Sequence, residues 1–351
     1  MEIYYFIFIL LAIFSFAKDL GKQILIFLFI CLTVFVGIRY NVGNDFQAYY
    51  SNFQAIKYNI GETVSSEPLY VLINYISPNF ETVIFLFAFL SFLFLYRAFI
   101  VFNIKYQGMV LLIYYSLFLI IFNIHIIRQG LAISIILFSY HYLLNNKTKK
   151  FLIYVVIATL FHKSALFCLV LFPFLKLNFN SKLSLFVLLG SFLVGIFSRN
   201  LLDFFYLITS KIPILSNYAN FYRIEEATNY GISIGIISDI VLLLCLYFSR
   251  NKLSESEFFL YKIFYVSVFF SFLFIVQPSA LRLLYYFRIV NIFLFAILLY
   301  KNIIPRQVLK PLLLIFCYFY FSKNFNSEDP IHGRSDRNLP YKTIFNNENT
   351  H

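Results

Sequence analysis

Six arginines stand at the ends of apolar runs or in the longer polar connections between them: Arg39, Arg128, Arg199, Arg223, Arg282 and Arg288. A guanidinium group at the edge of an apolar slab is costly without an anionic partner. Its planar fork suits phosphate, which it binds bidentately. The same connections hold three groups able to take or orient a proton: Asp45, Glu67 and His162. Positive charge for a leaving phosphate beside a base for an attacking hydroxyl is the chemistry of group transfer from a phosphorylated carrier.

Each group has a local context. In Arg39-Tyr-Asn-Val-Gly43-Asn-Asp45-Phe-Gln-Ala-Tyr49, a helix starting at Asn44 or Asp45 puts Asp45 and Tyr49 on one face. An Arg39–Asp45 pair with a simple helix cap is the plainer reading of the same residues. Glu67-Pro68 has the form of a helix start. Function at Glu67 requires its side chain to turn into a cavity. Arg128-Gln129-Gly130 opens an apolar helix, whose N-terminal N–H groups also favour an anion. Gly130 permits close approach of a ligand or of a neighbouring helix. His162 lies between two apolar runs. Arg282 and Arg288, six apart, fall on roughly opposed faces of a helix, so only one faces a shared site. Arg288 is the better choice, being deeper in its apolar run, and Arg223 beside Glu225 and Glu226 is a further candidate.

The elements that must position these groups are membrane helices. The chain has 351 residues, of which 61% are hydrophobic and 13% charged, outside the range of a soluble domain. The fold class is all-α and polytopic. About twelve apolar segments run near 3–17, 23–38, 80–102, 108–124, 126–144, 151–162, 163–177, 183–197, 231–249, 258–276, 283–300 and 308–322. Several are short for a span and read as broken or re-entrant. The pair meeting at His162 also reads as one long helix. The chain is one membrane domain with three polar regions, 39–79, 198–230 and 323–351. The first two carry Tyr and Phe throughout, as amphipathic surface helices do.

Basic residues fix the sidedness. Lys18/Lys22, Arg97/Lys105, Lys147/Lys149/Lys150, Lys176/Lys182, Arg250/Lys252 and Lys301/Arg306/Lys310 fall on one side if all twelve segments span, which makes that side cytoplasmic. The three polar regions and nearly all the acids then face out. The net charge of +12 is spread over short loops and forms no nucleic-acid-binding domain. The four cysteines lie inside apolar runs with no metal spacing, and no Walker A, GxGxxG or HExxH pattern occurs. The middle of most segments is nearly devoid of charge; Asp239 and Lys262 are the exceptions, placed either to pair with each other or nearer the membrane edges.

Four patterns taken in order, Arg39-x-x-x-Gly43-x-Asp45-x-x-x-Tyr49, Glu67-Pro68, Ile127-Arg128-Gln129-Gly130-Leu131-Ala132 and Phe161-His162-x-Ser164-Ala165, resemble the EpsG-type branch of the Wzy-like bacterial polysaccharide polymerases. The tail with Leu339-Pro340-Tyr341 is also similar. The region after Ser198 carries little of this likeness. The resemblance implies a GT-C-like inner-membrane glycosyltransferase with no cofactor. It would join oligosaccharide repeat units carried on undecaprenyl diphosphate, at the periplasmic or outer face. Its partners would be the lipid-linked donor and acceptor, membrane lipid and a chain-length regulator.

On that reading Arg128, assisted by Arg39 and Arg288, binds the donor diphosphate, with Gln129, Arg282, Arg223 and Tyr49 as further substrate contacts. One of Asp45, Glu67 or His162 orients or deprotonates the acceptor hydroxyl. Displacement inverts the anomeric carbon. No metal is required, since arginine supplies the positive charge and no DxD pattern occurs. The alternatives are an O-antigen ligase, another lipid-linked glycosyltransferase, an acyltransferase, or a flippase. A flippase calls for polar groups along a path through the membrane, which most segments lack.

Overall fold

The computed structural model describes residues 1–60, 67–176, 181–209, 234–275, 278–326 and 338–346. Among them every regular element is a helix, and the chain is a polytopic all-α membrane protein. Five helical stretches are long and apolar enough to cross a bilayer: Phe80–Val101, Gln107–His125, Ile127–Leu144, Glu255–Leu273 and Ala280–Tyr300. Five shorter apolar helices accompany them.

The chain divides into two compact units, Met1–Leu166 with Phe295–His351, and Phe167–Leu294. The first holds α1 (Glu2–Phe14), α2 (Lys22–Gly37), α3 (Phe46–Tyr58), α4 (Pro68–Ile76), α5 (Phe80–Val101), α6 (Gln107–Tyr114), α7 (Ile127–Leu144) and α8 (Thr148–Phe161). A π-helical stretch, Tyr115–His125, continues α6. Helix α5 packs on both α2 and α7, and α7 packs on α8. Helix α6 and its π-helical continuation form the most enclosed span, 89% buried. Helix α5 is capped by Asn79, whose side chain accepts from Thr82 N at 2.9 Å.

The described residues of the polar region 39–79 include two short helices. Helix α3 starts after Asp45 and ends on left-handed Asn59, and α4 starts with Pro68 in its first turn. Near the other end of the first unit, α15 (Arg306–Asn326) leads to residues 338–346. That segment folds back onto α1 and α2. Tyr40 N donates to Lys342 O at 2.9 Å and Ile344 N to Ile38 O at 3.0 Å. The Tyr341 ring stacks on Phe35 at 4.9 Å, and its hydroxyl donates to Phe35 O.

The second unit holds α9 (Leu171–Lys176), α10 (Ser181–Thr209), α11 (Ile234–Phe248), α12 (Glu255–Leu273) and α13 (Pro278–Arg288). Helix α14 (Asn291–Tyr300) brings the chain back to the first unit at Phe295. Helix α12 opens with a capping box between Ser254 and Glu257, and packs on α10, α11 and α13.

Four expectations are corrected. The chain is not one long helix through His162, because that residue is extended (φ −158°, ψ 116°) and ends α8. Segment 283–300 is broken at Ile289–Val290, between α13 and α14. Helix α10 continues past 197 to Thr209, so the polar connection starts later than 198. Asp239 does not pair with Lys262. It pairs with Arg288, Nε to Oδ2 at 2.7 Å, while Lys262 lies 5.2 Å above the Phe258 ring. Arginine's longer, forked side chain reaches an acid on another helix, whereas Lys262 covers the ring one turn before it on its own helix.

Candidate functional site

Three of the sequence patterns converge in the first unit on one carboxylate. Glu67 is the residue before α4, and its side chain does not cap that helix. It turns inward instead and is 5% exposed. Arg128 Nη1 donates to its Oε2, His162 Nδ1 stands 2.8 Å from its Oε1, and Lys163 N donates to Oε1 at 3.3 Å. Glu67 is therefore the buried hub between two partly exposed side chains, Arg128 at 25% and His162 at 26%.

Local backbone breaks aim the partners. His162 stands where α8 gives way to the 3-10 turn Lys163–Val170, so its ring leaves the helix surface. Arg128 begins α7 immediately after the π-helical stretch, whose last N–H, on Ile126, donates to Ile121 O at 2.9 Å. Such π-helical geometry is frequent at functional sites. Gly130 makes the junction possible. A Cβ there would fall 2.0 Å from Phe122 O, so any larger residue would drive α7 away from the π-helical backbone.

Two tyrosines complete the setting of Arg128. Its guanidinium lies 4.9 Å from the centroid of Tyr70 and 5.7 Å from that of Tyr49. Cation–π contact at a partly exposed position contributes about 1 kcal/mol. Tyr70 is fully buried and Tyr49 is 5% exposed. Burial pushes the Tyr49 hydroxyl up to about 12 despite the nearby Arg128 charge, so it stays neutral.

The electrostatics assign protons. Burial alone would raise the Glu67 pKa. The His162 hydrogen bond, the Arg128 charge and the Lys163 N–H outweigh burial and hold it at about 2. Glu67 is thus an ionised acceptor at neutral pH. An ionised carboxylate requires the proton on His162 Nδ1. That tautomer leaves the Nε2 lone pair of a neutral ring free to accept a proton.

The other predicted residues are placed differently. Arg39 is 2% exposed. Its Nη1 donates to Val36 O at 3.0 Å, Nη2 to Ile124 O at 3.3 Å and Nε to Val42 O at 3.4 Å. Burial lowers its pKa to about 10, so it remains charged. It ties the end of α2 to the end of the π-helical stretch, just before Arg128. Gly43 (φ +104°) turns the chain between Arg39 and Asp45. Asp45 precedes α3 and is half-buried, one turn before Tyr49. Gln129 is buried at 5% exposure. Arg288 lies in the second unit with Asp239, and Arg282 is exposed on the same helix. Arg223 lies outside the described residues. Among the described residues no three His, Cys, Asp or Glu side chains cluster to hold a metal ion.

Sequence reasoning missed Tyr70 and the Lys163 N–H. Tyr70 follows Glu67 by three residues, the spacing that puts two side chains on one helical face. That spacing was the available signal. Nothing local in the sequence marks the Lys163 main chain.

Residues 22–343 match the EpsG family, and the chain belongs to that family. No curated protein and no solved structure matches it.

Proposed function

We propose that this EpsG family protein polymerises polysaccharide repeat units, transferring a growing glycan from undecaprenyl diphosphate to a hydroxyl of the next lipid-linked unit. The observation that carries this reading is Glu67 bridging Arg128 and His162. One ionised carboxylate fixes both a phosphate-binding fork and a general base, the two parts that glycosyl transfer from a diphosphate carrier needs.

In this mechanism His162 Nε2 takes the proton of the acceptor hydroxyl. The freed oxygen attacks the anomeric carbon from the face opposite the diphosphate. The carbon–oxygen bond to the carrier breaks, and its electron pair leaves on the diphosphate. Arg128, partly exposed, stabilises that charge with its guanidinium. Single displacement inverts the anomeric carbon. Glu67 acts through His162 and Arg128; held ionised at so low a pKa, it is a poor base itself. The Arg39 donors go to main-chain carbonyls, so we assign it to holding the Arg128 segment. If every apolar segment spans, the loops bearing Glu67 and His162 lie opposite the lysine-rich connections, and the site would face out of the bacterial inner membrane.

The test is deletion of the gene in its host and complementation with Arg128→Ala. A surface polysaccharide that collapses from a ladder to core plus one repeat unit, uncorrected by the variant at normal protein level, is the expected result. Full-length chains from the variant overturn the assignment of Arg128. Loss of every unit on deletion reassigns the protein to a ligase, a flippase or an earlier transferase.

A further inference from the structure

The second unit carries a buried polar cluster of its own. Asp239, in the second turn of α11, is 2% exposed, and Asn291, the first residue of α14, is 1% exposed. Arg288, the last residue of α13, pairs with Asp239 at 2.7 Å, and its side chain keeps 22% exposure. Ionisable groups inside apolar helices are expensive and mark functional sites by default. The cluster also sits at an interruption, because candidate span Ala280–Tyr300 breaks at Ile289–Val290 between Arg288 and Asn291. Irregular backbone at membrane depth is tolerated where protein encloses it or where it lines a cavity.

The elements agree in depth. At 1.5 Å per residue, Asp239 lies ~8 Å from the start of α11 and Arg288 ~15 Å from the start of α13. Helical side chains lean toward the N-terminus, which carries the long Arg288 side chain back to the level of Asp239. Helix α12 packs on both α11 and α13. It contributes the fully buried Ser267, ~9 Å from its own end at the same rise.

The cluster is incompletely satisfied. The Asn291 side chain is hydrogen-bonded to Asp239. Among the described residues, Asn291 Oδ1 and the Ser267 hydroxyl close no hydrogen bond. A buried polar atom left so costs about 1–3 kcal/mol, so each calls for a partner. Charge decides its class. Arg288 repels a cation and Asp239 repels an anion, since the ion pair is neutral as a whole. A neutral hydroxyl fits, donating to Asn291 Oδ1 and accepting from the Nδ2 hydrogen that is not turned on Asp239.

We propose that Asp239, Asn291 and Arg288 form a saccharide-binding subsite that takes hydroxyl groups of the glycan, reached along the partly exposed Arg288 side chain. The subsite rests on the reading of the protein as a glycan transferase, and it is separate in role from the Glu67 site, which handles the diphosphate and the proton.

The probe is the host's own repeat-unit oligosaccharide, released from its lipid. Binding to the full chain in nanodiscs is read by saturation-transfer NMR, beside polymerisation of the lipid-linked unit. Wild type and His162→Ala should bind the oligosaccharide alike, while Asn291→Ala should bind it about tenfold more weakly or worse. The double variant Asp239→Asn/Arg288→Gln keeps the shape without the charges, and should also lose binding should Asn291→Ala fail to fold. Binding by Asn291→Ala or by the double variant within twofold of wild type overturns the subsite and leaves the cluster to buried water. Wild type that binds the oligosaccharide yet never polymerises it keeps the subsite and rejects the polymerase reading.

Discussion

Replacing Glu67 with glutamine removes one charge and almost no volume, so it isolates the electrostatics of the site. In the folded protein the carboxylate titrates at about 2, against 4.5 for an unperturbed group. A folded pKa below the unfolded one means that the native state favours the ionised form. The contribution is fully present above the unfolded pKa and is lost as pH falls toward the folded one. A shift of about 2.5 units corresponds to about 3 kcal/mol at pH 7. By the same linkage about 2 kcal/mol remains at pH 3.5. Glu67→Gln should therefore lower stability by roughly 2–3 kcal/mol at neutral pH, and the gap to wild type should narrow as pH falls below 4.5.

The catalytic effect should exceed the stability effect. Glutamine presents an amide that no longer fixes the His162 proton on Nδ1, and Arg128 loses its anion. In hydrolases that orient a histidine with a carboxylate, the amide replacement lowers kcat about 10⁴-fold through the wrong tautomer. A loss of at least 10²-fold is expected here by the same cause. The assays are thermal or denaturant unfolding in detergent from pH 3.5 to 7, and polymerisation rate at pH 7. A variant within about 0.5 kcal/mol of wild type at pH 7 with the same pH slope would falsify the proposed electrostatics. Unchanged kcat in a folded variant would remove His162 as the base.

Arg128→Lys keeps the charge but loses the fork and the stacking on Tyr70 and Tyr49. Its polymer yield should fall at least about tenfold at unchanged protein level, read on a polysaccharide gel, because the ion pair to Glu67 alone does not orient a diphosphate. Gly130→Ala puts a methyl into Phe122 O, so it should destabilise by more than about 1–3 kcal/mol and reduce accumulation in the membrane, with wild-type thermal stability as the contrary result. Asp239→Ala removes the acid paired with Arg288 and should cost about 3–5 kcal/mol, while Asp239→Ala/Arg288→Leu should recover most of it. Equal unfolding midpoints for the single and double variants would remove the ion pair from the account.

The all-helical membrane fold was legible because composition and hydropathy alone require it, and so were the helix starts at Pro68 and after Asp45, where short-range capping rules apply. The interruptions were not. Nothing in Leu-Tyr-Tyr-Phe-Arg-Ile-Val-Asn (284–291) forces a break at Ile289–Val290, because apolar residues suit a continuous span equally well. The break coincides with a buried ion pair whose acid lies 49 residues earlier in the chain. The π-helical stretch before Arg128 is unannounced for the same reason. Its distinguishing feature is a backbone contact with Gly130, which the sequence marks only as a small residue.

The site residues divide along the same line. Arg128, Glu67 and His162 were legible as polar exceptions at the ends of apolar runs, but their roles were not, since each alone fits a cap, a snorkelling cation or a satisfied histidine. Sequence separations of 61 and 95 residues bring them together, and only the geometry orders them. A carboxylate offered both to a guanidinium and to an imidazole is drawn below its ordinary pKa and ceases to be a base. The base is then the imidazole, through the nitrogen that the carboxylate does not occupy. Arg39 reverses the lesson. It has the same residue type and a similar position at a helix end, yet its donors are spent on three carbonyls of two segments. Membrane arginines therefore divide by what their forks face. A fork turned on main-chain carbonyls holds the fold together, and a partly exposed fork paired with one acid beside two tyrosines is placed to meet a substrate.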